Sequence, residues 1–256
     1  MLSDWRLPVI GVIASIAITT AMDASGVSAF SALPLFPLML LFWYLDGCSR
    51  AQIGFLRGRL GDYRLAVLHS VLVLGLLALA AWAAGSVDLD RTKWRSAAIN
   101  FAIMSISTVL VAMITEEGFF RGWLWASLER ADVKQPAVLI CSSVTFSLWH
   151  LSAVSLRTGF DIPAAQIPVF MVNAAVMGAV WGLLRWISGS VLVASLSHGL
   201  WNGLDYVFFG FGTRIGALGI RNTALYGPEV GILGLGLNIV FLVALWWSWR
   251  RVSSAL

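Results

Sequence analysis

Charge is scarce in this sequence. Asp, Glu, Lys and Arg make up 12% of its 256 residues, half of the roughly 25% carried by a soluble globular domain. Histidine is rarer, with three residues, and there are two cysteines. Cys48 falls in a connection and Cys141 in an apolar segment, so there is neither a disulfide framework nor metal-ligand spacing. The net charge of +4 comes without a basic cluster interleaved with exposed aromatics. That pattern excludes a nucleic-acid-binding module and leaves Lys and Arg as loop charges that set membrane topology. A strongly basic leader is missing ahead of residues 7–22, which therefore read as a retained first helix rather than a signal peptide. There is no internal repeat and no soluble domain.

Apolar surface is what the chain has in excess. Hydrophobic residues make up 59%, and the mean hydropathy is +0.85, which marks an integral membrane protein whose partner is the lipid bilayer. The 13 Trp fit the same class, because indole favours the membrane interface. Eight apolar segments follow one another at residues 7–22, 29–45, 65–84, 97–128, 135–153, 165–186, 190–210 and 230–249. Most are long enough to cross about 30 Å of hydrocarbon. The fourth is too long and is expected to protrude or bend. The fold class is all-α: a polytopic transmembrane bundle of about eight helices, one domain over residues 1–256.

With eight spans, both ends of the chain share a side. That side carries Arg6, Arg50, Arg57, Arg59, Arg64, Arg130, Lys134, Arg185, Arg250 and Arg251. The other side carries Arg91, Lys93, Arg95, Arg157, Arg214 and Arg221. The positive-inside rule then places both termini in the cytoplasm. Short loops and the lack of extensions point to a prokaryotic inner membrane.

Between residues 96 and 128 the only ionisable groups are Glu116, Glu117 and Arg121, in the stretch TEEGFFRG. Each charge near a bilayer centre costs about 2.5–3.5 kcal/mol on insertion scales. Such groups face a protein interior or a wet cavity and are functional candidates by default. Glu117 and Arg121 are four apart, share a helix face and can pair. Glu116 is rotated by about 100° from Glu117 and needs other company. His150 in the fifth segment and His198 in the seventh are the candidates, with Asn202 one turn beyond His198. Counting about 1.5 Å per residue from the expected cytoplasmic ends puts all four at about 14–22 Å depth. His69 lies close to the Arg-rich connection and reads as interfacial. Trp246 and Trp247, beside the C-terminal arginines, read as belt residues. Asp205 is a candidate to line or cap a cavity, without a role assigned.

The motifs Glu116-Glu117-Gly-Phe-Phe-Arg121, Phe146-Ser-Leu-Trp-His150 and His198-Gly-Leu-Trp-Asn202 stand in apolar helices in this order. They resemble the CPBP (CaaX protease and bacteriocin-processing, Abi-like) family of intramembrane proteases, over about residues 97–210. The resemblance implies an endopeptidase like the Ras-converting CaaX endopeptidase, acting on a membrane-associated peptide or protein. It implies that Glu116, with His150, activates a water, and that His198 and Asn202 form the oxyanion site. Glu117 and Arg121 are implied as supports, and Phe146 is expected to pack the site. Prenylated CaaX proteins, bacteriocin precursors and sorting-signal tails are all compatible substrates.

The chemistry of the residues agrees. Amide hydrolysis needs an activated water and a place for developing negative charge. A metal-free mechanism is expected, with no cofactor. The competing reading is a zinc ion on Glu116, His150 and His198, a His₂Glu set; the His-Glu-x-x-His arrangement that would place two ligands and a base on one helix is missing. Two non-proteolytic readings remain beside the protease. One is an immunity or scaffold protein that binds a peptide in the same cavity. The other is a proton-coupled transporter using Glu and His as a relay.

Overall fold

The computed structural model describes residues 5–90 and 92–253; Arg91, counted among the loop charges, lies outside them. The chain is a bundle of helices: α1 (Arg6–Ala24), α2 (Leu35–Asp46), α3 (Leu60–Ala83), α4 (Trp94–Ile114), α5 (Trp125–Arg130), α6 (Gln135–Trp149), α7 (Leu151–Ser155), α8 (Ile167–Ser188), α9 (Val191–Leu204), α10 (Thr223–Tyr226) and α11 (Ile232–Ser253). A two-stranded antiparallel hairpin, β1 (Gly210–Phe211) and β2 (Arg214–Ile215), interrupts the helices after α9. Seven stretches among the described residues are long and apolar enough to cross a membrane. The protein is therefore an integral, multi-pass membrane protein. The seventh expected segment, residues 190–210, is helical but differs from the others. It consists of α9 and a π-helical turn, Asp205–Phe209, and carries the polar residues Ser195, Ser197, His198 and Asp205 on buried positions.

Local sequence sets the helix ends. The Asp62 side chain accepts from the Arg59 backbone N–H at 3.0 Å and opens α3, the reciprocal device of a capping box. Gly189 closes α8 in a left-handed conformation, φ 68°, which costs glycine little. Ser190 then caps α9 by accepting from Leu192 N–H.

The fourth segment does bend. After α4 the backbone breaks at Thr115, φ −106° and ψ −97°, and residues Gly118–Leu124 run as a π-helix into α5. A Cβ at position 118 would lie 2.6 Å from Met39 Sδ and 2.7 Å from Met113 O, so the turn can form only around glycine. Below it Phe119, Phe120, Trp123 and Trp125 are buried together. α9 lies against α4 across two small residues. A Cβ on Gly199 would come within 2.3 Å of Val109 Cγ2, and one on Gly203 within 2.0 Å of Ser105 Oγ. This small-residue face lets two backbones approach closely, the usual contact where lipid gives no hydrophobic drive between helices.

His69 departs from expectation. It is not interfacial but fully buried. Its Nδ1 is 2.8 Å from Ser197 Oγ and its Nε2 3.2 Å from Asn238 Oδ1, and its ring stacks on Trp201 at 5.1 Å. Asn238 Nδ2 donates to Asn173 Oδ1, and Asn173 Nδ2 donates to the carbonyls of Pro228 and Glu229. Satisfaction by neutral groups on α8, α9 and α11 explains the burial. Closeness in sequence to charged residues does not fix depth. Of the two expected belt residues, Trp247 is exposed with Arg251 over its ring at 3.6 Å. Trp246 is half-buried, against Trp186 and Trp249.

Candidate active site

Three of the four expected catalytic residues meet at one point. Glu116 Oε2 is 3.9 Å from His150 Nε2 and 4.0 Å from His198 Nε2. The broken helix after α4 supplies Glu116, the C-terminal end of α6 supplies His150, and α9 supplies His198. Asn202, one turn along α9, lines the same cavity. The cavity encloses about 470 Å³, within the range of small-ligand sites.

The two neighbouring glutamates have separate surroundings. Glu116 keeps 17% of its side chain exposed, toward the cavity, and Glu117 none. Glu117 Oε1 accepts from Arg121 Nη1 at 3.2 Å and lies 3.0 Å from His198 Nδ1. Glu117 thus orients His198 from behind, with Arg121 balancing its charge. Arg121 is fully buried, and its Nε and Nη2 have no hydrogen-bond partner. The Phe146 ring, 4.2 Å from Arg121 Cζ, supplies a cation–π contact instead.

Phe146 reaches further than packing. Its carbonyl oxygen is 2.9 Å from His150 Nδ1, and its ring meets His150 edge-on at 4.5 Å. A proton on Nδ1, donated to that carbonyl, leaves Nε2 of the neutral imidazole as an acceptor facing Glu116. Likewise Nδ1–H of His198 on Glu117 turns its Nε2 toward Glu116.

Several residues of this site carried no motif signal. Trp181 of α8 stacks on the His198 ring, 4.0 Å between centroids and 7° between planes. Thr19 of α1 accepts from Trp149 Nε1 at 2.8 Å. Asp23 Oδ2 accepts from Ser152 Oγ at 2.6 Å, while its Oδ1 is buried without a partner. Tyr206, Arg214 and Glu229 also line the cavity. Burial pushes the Glu229 carboxyl up to about 7. The only cue to Glu229 is a carboxylate between Pro228 and Val230 in a turn-forming YGPEVG, easily taken for a solvated loop. Asp205 is buried and borders a smaller side pocket with Glu229 and Arg214.

The zinc alternative can be tested against this geometry. Donors around a tetrahedral zinc at about 2.0–2.1 Å sit about 3.4 Å apart. Here the oxygen lies 3.9 and 4.0 Å from the nitrogens, and among the described residues no three His, Cys, Asp or Glu form a set that fits a metal ion. The donor types suit zinc, but their spacing is wider than a tetrahedral ligand set.

The cavity thus brings a glutamate and two imidazoles together inside a helical bundle. Residues 98–204 match the family model described as Type II CAAX prenyl endopeptidase Rce1-like; this motif-bearing stretch is similar to that family. Protease activity in general is what the family implies. Neither the curated proteins nor the solved structures contain a match to the chain.

Proposed function

We propose that the protein is a glutamate-dependent intramembrane endopeptidase, with Glu116 as general base. The observation that carries the reading is one carboxylate oxygen about equidistant from two imidazole Nε2 atoms inside a cavity. Two acceptors of a single water molecule sit about 4–4.5 Å apart. Glu116 Oε2 and His150 Nε2, 3.9 Å apart, come close to that spacing, so one water placed between them is taken as donor to both. Proton transfer to Glu116 frees the water oxygen to attack the scissile carbonyl. General-base catalysis of this kind contributes typically about 10²–10⁴-fold.

Negative charge then develops on the carbonyl oxygen. His198, with Nδ1–H on Glu117, donates from Nε2 when it carries a second proton, and the Glu117 carboxylate stabilises that cation. The Asn202 amide supplies a further donor from the same helix face. Removing one such donor costs about 10²–10³-fold in turnover. The proton held by Glu116 passes to the leaving amine, which restores the carboxylate. Arg121 and Phe146 act by keeping Glu117 and His150 in place.

The substrate on this reading is a membrane-associated peptide or protein. The host membrane is a prokaryotic inner membrane, with both termini in the cytoplasm. The test is cleavage of a candidate substrate by purified Glu116→Gln protein that inserts normally. Cleavage at the wild-type rate would remove Glu116 as the base. Retained biological activity in Glu116→Ala and His198→Ala would replace the protease reading with the scaffold one.

A further inference from the structure

The cavity has a direction, and the direction bears on what reaches it. Contacts between connections sort the molecule into two faces. On the terminal face, the segment between α2 and α3 is strapped to the start of α9. Val191 N–H donates to Gly54 O, Ser190 Oγ to Leu56 O, and Arg185 Nη2 to Gln52 O. Trp186, near the end of α8, packs on Trp249, near the end of α11. On the distal face, Asp88 N–H donates to Leu218 O and Thr92 Oγ1 to Ala217 O. Ser28 Oγ donates to Thr158 O, and Phe160 meets Phe211 at 4.5 Å.

The mouth belongs wholly to the distal face. Ser28, Thr158, Phe160, Phe211 and Arg214 rim the cavity, and among the described residues none of the terminal-face connections lines it. The terminal face is closed by the strap itself: Ile53 is fully buried, and Arg185 Nε also donates to Arg121 O behind the catalytic glutamates. Depth agrees. His150 lies about 8 Å, on the helical rise, from the distal end of α7 at Ser155 and about 22 Å from the terminal-face end of α6 at Gln135.

The two faces differ in cationic residues. Among the described residues, ten Lys and Arg belong to the terminal side, and Lys93, Arg95, Arg157, Arg214 and Arg221 to the distal side. The positive-inside rule assigns the richer side to the cytoplasm. We infer that the cavity opens on the non-cytoplasmic side of the membrane, and that its substrate is a polypeptide segment presented on that side. A lipid-modified tail held in the cytoplasm would face the sealed end of the bundle, with the strap between it and Glu116. The substrate half of this inference rests on the endopeptidase reading; the orientation half stands without it.

Cysteine accessibility decides the orientation. In a full chain carrying Cys48→Ala and Cys141→Ala, three single cysteines are compared: Ala29→Cys in the cavity wall, Thr213→Cys in the hairpin and Ala51→Cys in the strap, all at exposed positions. A membrane-impermeant maleimide is applied to intact cells and to permeabilised cells. Ala29→Cys and Thr213→Cys are expected to label in intact cells, at least tenfold over Ala51→Cys, which labels only after permeabilisation. The reverse pattern overturns the proposal. For the substrate half, precursors accumulating in cells that express Glu116→Gln are digested with protease added outside spheroplasts. The uncut segment is expected to be shaved. A segment protected until lysis refutes the substrate half, and absence of any accumulated precursor counts against the endopeptidase reading while leaving the labelling result intact.

Discussion

Two buried histidine networks lie one residue apart on α9. Ser197 belongs to the first, with His69, Asn238 and Asn173, and every contact there is to a neutral group. His198 belongs to the second, with Glu116, Glu117 and Arg121. Both networks are inside the membrane, and both cross-link several helices. They differ in where the ring nitrogens point. His69 has both nitrogens within 3.2 Å of protein partners. His150 and His198 each have one nitrogen so held, while the other turns into the cavity. Burial alone therefore separates nothing; the orientation of the remaining nitrogen separates a cross-link from a candidate reactive centre.

The sharpest test of this contrast is Glu116→Gln, which keeps the shape and removes the base. Turnover is expected to fall about 10³-fold, within the usual range of general-base catalysis, with membrane insertion unchanged. Initial-rate measurement on purified protein checks it. Arg121→Met comes next. It leaves Glu117 buried without its counter-charge, and breaking such a pair costs about 3–5 kcal/mol. Unfolding in detergent should show that loss, accompanied by lost turnover because Glu117 also holds His198. His69→Ala should separate the networks. Leaving Ser197 and Asn238 unsatisfied is expected to cost about 1–3 kcal/mol, with turnover of the folded protein changed by less than tenfold. An equal collapse of activity would erase the distinction.

Glu229→Gln should give the smallest effect, visible in pH dependence. Burial raises its carboxyl from an ordinary 4.5 to about 7. The folded state therefore holds a proton that the unfolded chain has already released. The associated stability is complete below about pH 4.5 and is lost as pH rises through about 7. The melting temperature of the wild type should decline across that window. The Gln variant, which cannot titrate, should decline less. An identical slope would show that Glu229 does not contribute.

The candidate constellation was readable because its members are polar where the chain is otherwise apolar. Glu116, Glu117, Arg121, His150, His198 and Asn202 all break long hydrophobic runs, and helical spacing separates the paired glutamate from the one in the cavity. The bend in the fourth segment could be expected from length alone; the π-helix that makes it could not, since it depends on Gly118 meeting Met39 from another helix. Trp181 was hidden among 13 Trp with no feature to single it out. Asp23 and Glu229 sit at helix ends, where a carboxylate normally faces water. Only the return of the chain over them, through Ser152 and through the Asn173 contact to Glu229 O, shows that they are inside. His69 misled for the complementary reason. It lies close in sequence to the Arg-rich connection that ends at Arg64, and its partners lie 128 and 169 residues away.

The strap between α2 and α3 has one more consequence, for traffic. On the endopeptidase reading, a chamber sealed at its base gives the incoming chain and the cut fragments a common doorway. Whatever portion of the substrate occupies the chamber has to back out before the next molecule enters, so a short released fragment clears faster than a long one. Such a vessel suits trimming near the end of a polypeptide and disfavours threading, and its turnover should slow as the fragment left inside lengthens.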